Sequence, residues 1–187
     1  VSGSSSFELS NLTREPLTGR KWEYTLYPIS WQEFEDHVGV LASIQQLPLR
    51  LVYGMYPEII TQSGNEFELL KQLTDSYLYK DILSYKGIRK PEVMSHLLRA
   101  LALQVGSEVS YRELSTLLGI DTKTVSAYVS LLEQAYVIFK LPSFSRNLRN
   151  EIKRNQKIYF YDNGLLNIVK GNLNAWETRE DKGSLWE

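Results

Sequence analysis

Between residues 107 and 162 the chain carries a local pattern that leaves few folds open. Ser110-Tyr-Arg-Glu113 is a capping box: the hydroxyl takes the amide three residues on, and the glutamate reaches back to the first amide. It opens a short helix over Tyr111–Leu118, with Leu114, Leu117 and Leu118 apolar. Gly119 supplies the left-handed backbone that a tight helix-to-helix turn needs, and Ile120 fills the corner. Asp121 caps a second helix over about 122–135, whose apolar face is Val125, Tyr128, Val129 and Leu132. VIFKLP (137–142) and KIYFYD (157–162) are β-branched and aromatic, and the polar stretch SFSRNLRNEIKRNQ joins them. With a helix at 92–105 in front, the order helix, helix, turn, helix, hairpin predicts a winged helix-turn-helix.

The segments before it are mostly helical. KWEYTLYPI (21–29) alternates, with Trp22, Tyr24 and Leu26 on one face, and predicts a strand closed by Pro28. Ser30 and Glu33 form a second capping box, so a helix runs from Trp31 to near Gly39. An apolar-periodic segment covers 40–53, interrupted by Pro48, and GMYPEIITQSGN reads as a loop. Helical spacing returns from Glu66 to Tyr85 and ends before Gly87 and Pro91. Tyr77, Tyr79 and Tyr85 on that helix are core or interface residues.

Composition removes whole classes of function. Lys plus Arg number 21 against 22 Asp plus Glu, a net charge of -1, which excludes a uniformly basic nucleic-acid coat. Without cysteine there is no disulfide, thiolate zinc site or Cys nucleophile. The two histidines, His37 and His96, are far apart and read as exposed, so no metal site is assigned. No apolar run reaches the roughly 18 residues of a membrane span, and no signal peptide opens the chain, so the expected address is the cytoplasm. No GxxxxGK[ST], GxSxG or HExxH motif occurs, and no catalytic residue is assigned.

The winged module reads in two ways. As a DNA reader it would use the first turn of the helix at 122, where Lys123 and Thr124 sit, and the wing cations Arg146, Arg149, Lys153 and Arg154. Lys140 and Lys157 complete a set of six against Glu151 alone. Six phosphate contacts would give a log–log salt slope of about -5. As a protein–protein or interdomain element the same cations are simply solvated. The bland helix surface (Thr122, Ser126, Ala127, Ser130) and its bracketing acids, Asp121 and Glu133, weigh toward the second reading.

Taken in order, GSSS, EPLTGR, LYPISWQEF, GMYPEII, SYLYKDIL, ALALQVGSEVSYRELSTLLGID and LPSFSRNLRNEIKRNQKIYFYDNGL resemble the prokaryotic AAA-type ATPases. In that family a winged helix joins the ATPase core to a C-terminal restriction-endonuclease-like domain. The resemblance implies a mainly α chain, with 1–30 as the end of the ATPase core, carrying a remnant strand of its α/β sheet. It implies a lid-like helical segment at 31–88, a winged helix-turn-helix at 89–162 and the start of the nuclease-like domain at 163–187. It places Ser4 and Ser5 at the nucleotide-sensing strand end and Arg20 as a phosphate-directed arginine, roles held only in the longer parent. Asp162 and Glu187 match acids near the nuclease-like entry. The chain opens at Val1 on a Gly/Ser cluster and closes in GSLWE, so the expectation is an internal piece of a longer protein. It lacks the Walker segments, so ATP and Mg²⁺ belong to the parent and the piece alone is expected to be inactive. The alternatives are a winged-helix DNA-binding regulator and a protein-interaction adaptor. The expected partners are DNA through the wing, other copies of the chain, or other proteins.

Overall fold

The computed structural model describes residues 22, 24, 26–76, 78, 88, 90–142 and 156–186. Helix α1 (Trp31–Val38) opens on Ser30, whose Oγ accepts from Glu33 N at 3.3 Å while Glu33 Oε2 accepts from Ser30 N at 2.9 Å. Gly39 separates α1 from α2 (Val40–Tyr53). Pro48 lies inside α2 and does not interrupt it, contrary to the sequence expectation. Its missing amide orphans the carbonyl of Ile44, and Ile44 is exposed, so water can take that amide's place in the ladder. The stretch read as a loop contains a short helix, α3 (Pro57–Thr61). Proline suits its first position, where no helical amide is needed, and Ile59 and Ile60 are buried.

Helix α4 spans Glu66–Leu73, and helical winding continues beyond it as a π-helical turn at 74–76 and 78; of the expected 66–85, residues 77 and 79–85 lie outside the described residues. Thr74 Oγ1 donates to Leu70 O at 2.7 Å, a side-chain bond that competes with the backbone ladder where α4 ends. Tyr77, Tyr79 and Tyr85 fall outside the described residues. Of the strand expected near 22–27, residues 23 and 25 lie outside the described residues, and the described ones show no ladder: Trp22, Tyr24 and Leu26 are 89%, 89% and 95% exposed. Alternation alone cannot hold a strand that finds no ladder partner among the described residues.

The second half begins with α5 (Pro91–Leu103), then β1 (Glu108–Val109), α6 (Tyr111–Leu118), α7 (Thr122–Gln134), β2 (Ile138–Leu141) and β3 (Gln156–Phe160). Ser110 Oγ accepts from Glu113 N, Gly119 is left-handed at φ 64°, and Asp121 accepts from Thr124 N, as the local pattern requires. The antiparallel sheet has the order β1-β3-β2. Ile138 faces Phe160 across β2–β3, and Val109 faces Gln156 across β1–β3. Strand β1, absent from the sequence reading, is two residues long and shows no period. The fold is mainly helical with this small sheet.

Helix α8 (Asn163–Lys170) follows β3 directly and packs on α2 and α5. A 3₁₀ turn (Trp176–Thr178) and α9 (Lys182–Trp186) complete the described chain. One buried cluster contains Leu97, Leu101, Leu114, Leu132 and Ile158 together with Leu165 and Leu185. The core therefore runs through residue 162 into the last described residues. Phe34, Leu51, Val52, Ile59 and Leu70 are buried among α1–α4. Among the described residues no helix is long and apolar enough to cross a membrane.

Candidate functional site

Seven of the residues expected to touch nucleotide or DNA lie outside the described residues: Ser4, Ser5, Arg20, Arg146, Arg149, Lys153 and Arg154. Glu187 does too. Lys123 is exposed on the first turn of α7. Thr124 is committed elsewhere: its amide and its Oγ1 both donate to the Asp121 carboxylate, at 2.9 and 2.6 Å. Those Thr124 bonds hold the Asp121 pKa below its usual value, so a carboxylate stands at the helix end that a DNA reader would present. Lys140, counted with the wing cations, forms an ion pair with Glu133 on α7. His37 and His96 are both exposed on helix surfaces, as expected, and well apart in the chain. Among the described residues no three His, Asp or Glu side chains are grouped to hold a metal.

The strongest concentration of buried polar chemistry lies at the junction of α2, β3 and α8. A cleft of about 300 Å³ is walled by Tyr27–Trp31, the C-terminal turn of α2 and residues 160–163. Asp162 sits in it, 3% exposed, and acts as the N-cap of α8: Oδ1 accepts from Leu165 N at 3.0 Å. Its Oδ2 accepts from Met55 N at 2.7 Å, across 107 residues of sequence. The approach is close because two glycines leave room. A Cβ on Gly54, whose φ is +82°, would collide with the Asp162 carboxylate, and one on Gly164 would collide with the carbonyl of Tyr53. Burial pushes the Asp162 pKa up from 3.8 to about 6, against the amides of Met55, Leu165 and Gly164 and the charge of Arg50.

Arg50 is the other buried charge, 2% exposed. Its Nη1 donates to Ile59 O at 3.3 Å, and Nη2 lies 3.7 Å from Glu66 Oε1. Its Cζ stands 5.9 Å from the centre of the Phe34 ring. Nε and Nη2 have no hydrogen-bond partner among the described residues. Burial lowers the Arg50 pKa, with Glu66 and Asp162 opposing. The arginine ties α2 to α3 and to the start of α4.

One turn further along α8, Asn167 is fully buried and completes the junction. Its Nδ2 donates to Leu51 O at 3.0 Å and Val52 O at 2.8 Å, two carbonyls at the end of α2. Its Oδ1 accepts from Arg179 Nη2 at 2.8 Å. Arg179 also donates to Asn172 O and, through Nε and Nη2, to both oxygens of Asp181. Lys170 pairs with Asp181 as well. Partial burial of Asp181 is outweighed by its bonds to Arg179 and Lys170, which bring its pKa down to about 2. A polar chain thus runs from the last residues through α8 to the end of α2. From the sequence, Asp162 stands out only through the family resemblance, as an acid near the nuclease-like entry. Its place before Asn-Gly-Leu-Leu is a capping signal, but Arg50, Asn167 and Arg179 carry no local signal.

The two acids pull stability in opposite directions with pH. A carboxyl whose proton is held more tightly in the fold stabilises it below the unfolded value near 3.8, and that contribution is lost as pH rises through about 6. The loss for Asp162 is on the order of 3 kcal/mol. Asp181 behaves the other way: its contribution is present above about 3.8 and is lost as pH falls toward 2. Urea unfolding between pH 4 and 7 is expected to show the Asp162 decline in the unsubstituted chain and to lose it in Asp162→Asn. Gly164→Ala is expected to cost about 1–3 kcal/mol by overpacking, whereas Gly183→Ala, with open space around its Cβ, costs nothing in the same assay.

Comparison with known proteins places the chain in a wider group. Residues 44–175 match the domain of unknown function DUF8612, a span that includes Arg50, Asp162 and Asn167. An uncharacterized protein of Haemophilus influenzae is 28% identical over 186 residues, covering 94% of this chain and 46% of the relative. The uncharacterized protein Rv2008c of Mycobacterium tuberculosis is 29% identical over 191 residues, covering 100% of this chain and 42% of the relative. The uncharacterized protein MJ1544 of Methanocaldococcus jannaschii is 26% identical over 163 residues, covering 78% and 37%. The chain spans less than half the length of these relatives. No solved structure matches it. With its match covering more than half the chain, the protein belongs to the DUF8612 family.

Proposed function

We propose that the chain is an interior segment of a longer ATP-hydrolysing protein, in which a winged helix relays movement between a lid-like helical segment and the C-terminal part of the molecule. The single observation that carries the relay is the junction of α8: Asp162 and Asn167 hold the end of α2 while β3 runs straight into the same helix. A displacement of α2 is thereby imposed on the end of the sheet without passing through a loop. The winged-helix assignment of 89–162 is supported by the order α5–β1–α6–α7–β2–β3 with strands arranged β1-β3-β2. The lid-like role of 31–88 and the ATPase parent rest on the family resemblance, and the greater length of the relatives is consistent with them. The described residues supply no phosphate-cradling loop, so ATP and Mg²⁺ would be held by the parent's own core.

Relay is favoured over DNA reading by the electrostatics of α7. The ionised Asp121 offsets the positive end of the helix dipole that would otherwise attract phosphate. Glu133 neutralises Lys140.

In the longer protein, ATP hydrolysis with Mg²⁺ is expected, and the 187-residue chain alone is expected to show none. Asn167→Ala in the longer protein is expected to keep nucleotide affinity and lower turnover, because it cuts the junction but leaves the ATPase core untouched. Absence of hydrolysis by the longer protein overturns the ATPase reading. Fluorescence anisotropy with a mixed-sequence duplex is expected to show no salt-steep binding by the chain. Micromolar binding lost on changing Arg149, Lys153 and Arg154 to Ala would replace the relay with a DNA clamp.

A further inference from the structure

Helix α7 ends on a residue that its backbone does not favour. Tyr136 has φ 54°, and no other described residue except glycine has a positive φ. Its amide donates to Glu133 O at 3.0 Å, and Val137 N donates to Leu132 O at 3.0 Å, closing the helix with a left-handed turn. Glycine or asparagine suits that position, whereas the Cβ of a tyrosine crowds the following carbonyl. What the tyrosine provides there is its ring. It lies edge-on to Tyr27 at 6.0 Å and to Tyr161 at 6.1 Å, and Tyr27 stacks on Tyr161 at 5.3 Å with 24° between planes. Phe139 on β2 extends the group, 5.1 Å from Tyr161 and 5.6 Å from Tyr159.

Tyr27 belongs to the segment entering α1, and it is attached at few points. Two residues on, Ile29 N donates to Met55 O at 3.1 Å. Before it, Leu26, Tyr24 and Trp22 are almost fully exposed. Residues 27–30 also form one wall of the cleft that contains Arg50 and Asp162. We propose that Tyr27, gripped between Tyr136 and Tyr161, is a latch that fastens the segment entering α1 to the end of α7 and the exit of β3, and so keeps the cleft over Arg50 and Asp162 closed.

The latch is built to release without unfolding the protein. Tyr27 is 52% exposed and Tyr136 38%, so little apolar surface is lost when the rings part. The hydrophobic cluster of α5–α7 includes neither ring. Release would swing residues 27–30 away and admit water to Asp162 and to Arg50 Nε, which has no hydrogen-bond partner among the described residues. Tension on the chain upstream of Tyr27 would therefore reach the C-terminal end of α7 directly. This inference holds whether or not the parent hydrolyses ATP.

Amide hydrogen exchange in the 187-residue chain tests it, with Ile29 as the reporter and Val129, in the core of α7, as the reference. Tyr136→Gly relieves the backbone and removes the ring. It is expected to speed exchange at Ile29 about tenfold, the factor that loss of paired aromatic contacts corresponds to, while Val129 is unchanged. Tyr27→Ala, at a half-exposed position outside the core, is expected to do the same. Tyr136→Phe keeps the ring and is expected to leave Ile29 protected. Three results overturn the latch: unchanged Ile29 exchange in Tyr136→Gly and Tyr27→Ala, equal acceleration at Val129, or loss of protection in Tyr136→Phe.

Discussion

The carboxylate of Asp162 is the constraint around which the two halves of the fold are arranged. Two residues past β3, it starts a helix and takes the amide of Met55 from a segment more than a hundred residues away. A charged group so deeply buried is costly unless each oxygen has donors of fixed geometry. Those donors are backbone amides, which cannot rotate away as side chains can. The same requirement dictates glycine at 54 and 164, since any Cβ would hold the two backbones apart. Asn167 and Arg179 extend the fastening along α8 through further buried hydrogen bonds. The junction is therefore specified by shape and polarity together, and a merely apolar contact between α2 and α8 would fix neither register nor angle.

That rigidity bears on the two roles weighed for the segment proposed to be a winged helix. Reading DNA calls for a helix end and a wing that present positive charge outward. On α7 the Asp121 carboxylate caps its own helix end and Glu133 pairs with Lys140, while Lys123 stays exposed. Transmitting a displacement calls instead for stiff connections at both ends of the sheet. Here β3 passes into α8 without a loop, and α7 closes in a left-handed turn directly before Val137 and β2.

Much of the second half was legible from sequence because its instructions are local. Ser110, Gly119 and Asp121 act on amides within a few residues of themselves, so the boundaries of α6 and α7 follow from the residue types alone. The first half was harder. Pro48 reads as a break, yet burial of Leu51 and Val52 on the next turn keeps α2 continuous. Helix α3 is too short to show a period, and β1 exists only because Val109 meets Gln156 from a distant strand. The alternation of Trp22, Tyr24 and Leu26 suggests a strand, but a ladder needs a second chain segment that alternation cannot supply. The junction was the least legible part. Arg50, Asn167 and Arg179 look like ordinary polar residues on or near helices, and only the meeting of α2 with α8 makes them interior.

The burial of Arg179 bears on where the unit can be divided. The family match ends at residue 175, but the side chain that satisfies Asn167 lies four residues beyond, and Leu185 fills the same interior. A polypeptide cut at 175 would retain every described strand and the helices as far as α8 while leaving a buried amide oxygen without its donor and a hole beside Leu165. The limits of the recognisable family sequence and of the self-sufficient solid therefore do not coincide. Residues 176–186, with their 3₁₀ turn and α9, are the stopper of this interior.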